Sequence, residues 1–200
     1  MRAPERVTLA GRHVRLEPIE ERHRDDLLAA AAQDPETFRY TVSELWNGAS
    51  AWPGYLADAL RPEFVTWATV DAATGRAVGS TRFGDIDPYH GRVEIGWTWI
   101  APSHQRTAIN TEAKLLQLTY AFEGLGATRV ALKTDLRNER SQRAIERIGG
   151  VREGVLRRHM RLPDGHVRDT VYYSILSDEW PAVKRRLEAR LADGSAPRST

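Results

Sequence analysis

Arg92-Val93-Glu94-Ile95-Gly96-Trp97-Thr98-Trp99-Ile100 is rich in β-branched and aromatic residues and stops before Pro102. It reads as a strand, with a glycine inside it that marks a bulge. Arg129-Val130-Ala131-Leu132-Lys133-Thr134 reads as a second, shorter strand. Between the two, from Thr111 to Phe122, Leu115, Leu118 and Phe122 share one helical face with Leu116 and Tyr120 beside it, and Gly124 and Gly126 end the helix. Strand, helix, strand is a crossover, which makes the two strands parallel neighbours.

Working outward, the pattern on both sides is antiparallel. Residues Phe64 to Val70 and Ala77 to Phe83 flank Ala72-Ala73-Thr74-Gly75 as a hairpin, and Asp87-Pro88-Tyr89-His90-Gly91 turns that hairpin into the strand at 92–100. Downstream, Asn138 opens a helix closed by Gly149-Gly150, and Val155 to Leu162 and Val167 to Leu176 flank the turn Pro163-Asp164-Gly165. At the start, His13 to Glu17 is a strand stopped by Pro18, followed by a helix from Glu20 to Gln33 ahead of Asp34-Pro35. Residues 36–62 read as short helical turns and loops, and a last helix runs from Asp178 to about Leu191. The fold class is α/β: a single mixed, mostly antiparallel sheet whose central strand pair is parallel. Without repeats or linkers, one domain is expected over 12–191, with an N-terminal extension at 1–11 and a disordered tail at 192–200.

The chain has 200 residues, 41% apolar and 28% charged, the balance of a soluble globular protein. No cysteine is present, which excludes a disulfide framework, a thiolate nucleophile and Cys-ligated metal sites. The N-terminus lacks an apolar stretch and no segment approaches the ~20 apolar residues of a membrane helix, so no membrane association and a cytoplasmic location are expected. The 29 basic and 27 acidic residues leave a net charge of +2, too balanced to argue for nucleic acid. Lys114, Lys133 and Lys184 are the three lysines and the other basic residues are arginines; eight of them lie between Arg137 and Arg161 against Glu139, Glu146 and Glu153. An anion suits that segment. His13, His23, His159 and His166 show no metal-ligand spacing, and no nucleophile elbow or P-loop occurs, so no metal is expected.

The segment from Ile100 to Glu112 joins a strand end to a helix start, where exposed N–H groups and the helix dipole favour an anion. Arg106 adds a charge there, and Thr107, Asn110 and Thr111 can cap or hydrogen-bond. Asn138, with Ser141 three residues on, has the pattern of a helix cap.

Glu94-Ile-Gly-Trp-Thr-Trp-Ile, Thr111-Glu-Ala, Tyr120-Ala-Phe, Arg129-Val-Ala-Leu-Lys-Thr, Asn138-Glu-Arg-Ser141-Gln-Arg-Ala-Ile-Glu-Arg-Ile-Gly149 and Glu153-Gly-Val-Leu-Arg157 resemble the GNAT acetyltransferase superfamily. Within it they are most similar to the branch that includes the ribosomal-protein N-terminal alanine and serine acetyltransferases, from about Arg12 to Trp180. The resemblance implies a sheet with helices on both faces, the central strands splayed to hold acetyl-CoA as co-substrate. The partner is a primary amine, a protein N-terminus or a small molecule, acetylated by direct transfer. In the family a loop of pattern Gln/Arg-x-x-Gly-x-Gly/Ala cradles the pyrophosphate. Here Gln105 keeps the first position, Ala108 and Asn110 replace the glycines, and Arg106, Thr107, Ile109 and Thr111 complete the loop. Asn tolerates left-handed backbone best after Gly, so a reshaped loop is expected, with Asn110 either standing in for glycine in that conformation or capping the helix. The resemblance places Asn138 on the pantetheine arm and Ser141 near the sulfur, to protonate the thiolate. Glu94 is the candidate to receive the amine proton, through water, and the N–H near Ile100 to polarise the carbonyl. The same Glu94 carboxylate also suits a cross-strand ion pair with an arginine. Acceptor contacts are expected from 34–62 and the hairpin around Pro163. The competing reading is a catalytically degenerate binding protein whose altered loop has lost acetyl-CoA and whose Arg-rich segment meets RNA or a ribosomal surface. Oligomeric state, including a homodimer, is left open.

Overall fold

The computed structural model describes residues 1–41, 43 and 45–194. Its centre is the pair β5 (Arg92–Ile100) and β6 (Arg129–Asp135), which run parallel in the register Arg92↔Arg129, Val93↔Val130, Glu94↔Ala131. There the pairing stops. β5 nevertheless stays bonded to β4 (Ala77–Asp87) as far as Ile100, and β6 to β8 (Val167–Leu176) as far as Asp135. The two central strands therefore diverge beyond Glu94, leaving facing edges with unpaired backbone groups.

Around this pair the sheet has eight strands in the order β1-β2-β3-β4-β5-β6-β8-β7, all other neighbours antiparallel. β1 is Leu9–Ala10, β2 Val14–Pro18, β3 Val65–Asp71 and β7 Val151–Arg161. β4 and β7 are longer than their residue patterns suggest, and β1 was not expected. The first eleven residues lie along the sheet: Glu112 accepts hydrogen bonds from the N–H groups of Arg12, His13 and Val14 at 2.9, 2.6 and 2.8 Å, which pins the turn after β1. Gly11 stands where any Cβ would strike that carboxylate.

Helices cover both faces. α1 (Arg24–Ala31) and α2 (Trp52–Ala59) bury Leu27, Trp52 and Tyr55 with Phe38 and Leu45 against Ala68, Val70 and Trp99. α3 (Ala108–Thr119), α4 (Glu139–Arg147) and α5 (Trp180–Ala192) bury Ile109, Leu118, Ile145 and Leu187 against Trp67, Phe83, Ile95, Leu132 and Tyr173. Each such side chain contributes about 1.5–3 kcal/mol of burial. The expected tail falls partly on α5, and residues 195–200 lie outside the described part.

A bulge in β5 divides the two faces. The register passes from Arg82↔Gly96 to Ser80↔Trp99, so Trp97 and Thr98 together oppose Thr81, and Trp97 has φ of 50°. The extra residue switches the alternation. Trp99 packs with Phe38 on the α1–α2 face, whereas Ile95 and Ile100 join the α3 core and Thr98 bonds Lys114 of α3. The glycine flagged by the sequence sits at this bulge, while the left-handed residue is its neighbour Trp97.

Candidate active site

Glu94 occupies the last paired position of β5, just where the gap opens, and is 2% exposed. Gly96 makes room for it, since a Cβ there would stand 2.8 Å from Glu94 Oε1. Lys133, two residues beyond Ala131 on β6 and so on the same face, reaches back across the gap to place Nζ 2.8 Å from Glu94 Oε2. The carboxylate thus makes the cross-strand pair considered from sequence, with a lysine and not an arginine. Burial pushes the Glu94 carboxyl above its ordinary range; Lys133 opposes the rise, Asp85 adds to it and Arg168 opposes it.

Side chains from β7 and β8 close around this pair. Lys133 Nζ lies 5.6 Å from the Trp97 ring centre and 5.8 Å from that of Tyr172. Arg168 is buried, its Nε donating to Thr170 Oγ1 at 2.9 Å and Nη1 to the Tyr40 carbonyl at 3.3 Å. His159 stands 3.1 Å from the same Thr170 hydroxyl, and burial, then Lys133 and Arg168, hold its pKa low. Asp135 is fully buried; burial pushes its carboxyl up, but hydrogen bonds from the Arg137 side chain and N–H outweigh that and hold it below the usual range.

At the open end of the gap, Ala101 N–H bonds Val78 O, so by antiparallel alternation the Ile100 pair with Gly79 is non-bonded and the Ile100 N–H points away from β4, toward the gap. The Ile100 carbonyl, facing the same way, accepts from Gln105 Nε2 at 3.0 Å, and Gln105 Oε1 accepts from Arg140 Nη1 of α4 at 2.9 Å. Gln105 therefore ties the strand end to α4 across the gap.

The helix after this loop begins earlier than its apolar period indicates. Thr107 is the cap, its Oγ1 accepting from Ile109 N–H at 3.3 Å and donating to the His104 carbonyl at 2.8 Å. Asn110 is consequently helical, neither left-handed nor the cap, and the left-handed residue is the exposed Arg106, with φ of 62°. A cap three residues upstream fixes all of them at once. Ala108 and Thr111 lie half-buried in the first turn, the Ile109 side chain enters the core, and Asn110 Oδ1 is buried with no hydrogen-bond partner among the described residues. Asn138 caps α4, its Oδ1 accepting from Ser141 N–H at 3.0 Å, and Ser141 sits half-buried in the first turn.

Between the turn at 34–40 and the start of α4 lies a cleft of about 280 Å³, lined by Asp34, Thr37, Tyr40, Arg137, Asn138 and Arg140. The structure thus brings the gap, two helix starts and a cleft together at one edge. Sequence reasoning gave Lys133, Arg168, Tyr172 and His159 no role at the site; the signal for Lys133 was its even spacing from Ala131, which needs the parallel register to be read.

Residues 13–151 match the profile of the acetyltransferase (GNAT) domain. The chain belongs to the acetyltransferase (GNAT) family. The crystal structure of a GCN5-related N-acetyltransferase from Brucella melitensis is 33% identical, with a TM-score of 0.91 over 97% of this chain and 92% of that one. YdaF of Bacillus subtilis, which carries the provisional name ribosomal N-acetyltransferase, is 37% identical over 110 residues, a match spanning 55% of this chain and 59% of that protein. RimJ of Mycobacterium smegmatis, solved with CoA-disulfide, shares the fold at 22% identity, with a TM-score of 0.80 over 97% of this chain and 98% of that one.

Proposed function

We propose that the protein transfers the acetyl group of acetyl-CoA directly to a primary amine, in the cytoplasm. The observation that carries this reading is the divergence of β5 and β6 beyond Glu94 and Ala131, with the starts of α3 and α4 at the open end. An extended arm carrying amides suits facing strand edges with unpaired backbone groups. The orphaned Asn110 Oδ1 supplies a further acceptor for such a ligand. RimJ, of the same fold, is described with a CoA derivative.

Acetyl-CoA bound in this gap would supply an acyl group activated as a thioester. The first-turn amides of α3, with Gln105, Arg106, Thr107, Ala108, Ile109, Asn110 and Thr111, would hold its anionic groups at a helix N-terminus, and Asn138 its amide arm. The Ile100 N–H would bond the carbonyl oxygen as charge builds there. Glu94 would take the amine proton through water, and the Ser141 hydroxyl would give a proton to the departing thiolate. The cleft between 34–40 and α4 and the hairpin around Pro163 would receive the acceptor.

The RNA-binding alternative loses ground because arginines of the basic segment are already engaged: Arg137 pairs with Asp135, Arg143 with Glu139, and Arg140 holds Gln105. A thermal-unfolding titration with acetyl-CoA, followed by a thiol-release panel, tests the reading. The panel pairs acetyl-CoA with ribosomal-type N-terminal peptides beginning Ala, Ser or Met, and with aminoglycosides, polyamines and amino acids. Saturation near 100 times Kd should add ~2.7 kcal/mol of stability, and one acceptor set should release thiol. No shift at millimolar acetyl-CoA together with no release would refute the proposal.

A further inference from the structure

We infer that Lys133 is a positioning residue for the transfer: reaching across the gap from β6, its ammonium fixes the Glu94 carboxylate as the charged proton acceptor at the base of the opening. This rests on the acetyl-transfer reading above. The ion pair is short, 2.8 Å, and lopsided in exposure, the Glu94 side chain being 3% accessible and that of Lys133 18%. Glu94 is thus held from behind by the space that Gly96 leaves and from the solvent side by Lys133.

Two aromatic faces, Trp97 and Tyr172, flank the ammonium without offering it a proton acceptor. The charged groups facing Glu94 are Lys133 on β6, Asp85 on β4 and Arg168 on β8, and His159 on β7 faces Lys133 and Arg168. Desolvation favours the neutral carboxylic acid, and a protonated Glu94 has no site for the amine proton. The nearby Asp85 works in the same wrong direction. Lys133 is the cation in direct contact that opposes this, so its charge matters to the reaction beyond its packing. A buried charge stripped of its partner neutralises instead of staying ionised.

The free full-length protein, labelled with carbon-13 at the glutamate carboxyl groups and with E94Q to identify the signal, reads the pair without any acceptor. In K133M the Glu94 titration midpoint moves to higher pH; in K133R it returns close to the wild-type value. In the acetylation assay the acid limb of kcat moves with it. On that limb K133M loses about tenfold in rate for every whole pH step by which the midpoint rises, recovers at higher pH, and keeps its KM for acetyl-CoA. K133Q serves as the neutral variant should K133M fold poorly. An unmoved midpoint, or a moved midpoint with an unmoved acid limb, overturns the inference and leaves the acetyl-transfer reading standing. Absence of turnover with every acceptor, together with no stabilisation by millimolar acetyl-CoA, overturns both.

Discussion

Glu94 and Lys114 show how one sheet treats two buried charges differently. Glu94 has Lys133 in contact, whereas Lys114 is buried among neutral acceptors, donating to Thr98 Oγ1 at 2.8 Å, Gln117 Oε1 at 2.9 Å and Thr81 Oγ1 at 3.1 Å. Burial without a carboxylate pulls the Lys114 pKa down from 10.5 to about 7. Unfolded chain therefore binds a proton between about pH 7 and 10.5 that the folded protein does not. The cost of the buried charge is fully present below that window and lifts as pH rises through it. Lys114→Met should accordingly be more stable than wild type at pH 6 and flatten the rise in stability across the window, as read by urea unfolding at several pH values. Thr81 and Thr98 bond each other at 2.8 Å independently of Lys114, so the two hydroxyls keep a partner available. An unaltered slope would show that Lys114 does not titrate in this range. For Glu94→Gln, loss of the proton acceptor should lower kcat by ~10²–10⁴ near neutrality, with partial recovery at high pH where the amine is already neutral. A drop below tenfold, with folding intact, would return Glu94 to an ion-pair role.

Among the elements, the loop into α3 joins local strain to the proposed cofactor contact. Arg106 holds φ of 62°, a conformation that costs a residue with a Cβ about 1 kcal/mol and glycine little. Arg106→Gly should therefore raise stability by up to about 1 kcal/mol while weakening CoA more than fragments lacking its anionic groups, because charge-assisted contacts are the stronger ones. Opposite signs in unfolding and in calorimetric binding separate the two roles. Equal loss for all ligands would remove Arg106 from the anion site.

At the scale of the molecule, Glu112 fastens the N-terminal strands to α3 through three backbone hydrogen bonds. Removing the carboxylate in Glu112→Ala leaves those donors without their charged partner and should cost on the order of 3 kcal/mol in denaturant unfolding; a cost under about 1 kcal/mol would mean that water or other groups hold the turn. The same scale separates what could be read early from what could not. The order of strands and helices, the parallel centre, the caps at Asn138 and the glycine at the bulge were legible in the residues, because periodicity, breakers and capping act over a few positions. The conformation of Asn110, the strand within the first eleven residues, and the gathering of Arg168, Tyr172 and His159 around the Glu94–Lys133 pair were not. Sequence by itself determined which stretches form strands and helices and where the chain turns. The tertiary structure decided which charges meet and which are buried alone, since a side chain's partner and its desolvation depend on register between distant strands, and a single extra residue at Trp97 and Thr98 exchanges the faces of everything that follows it in the strand.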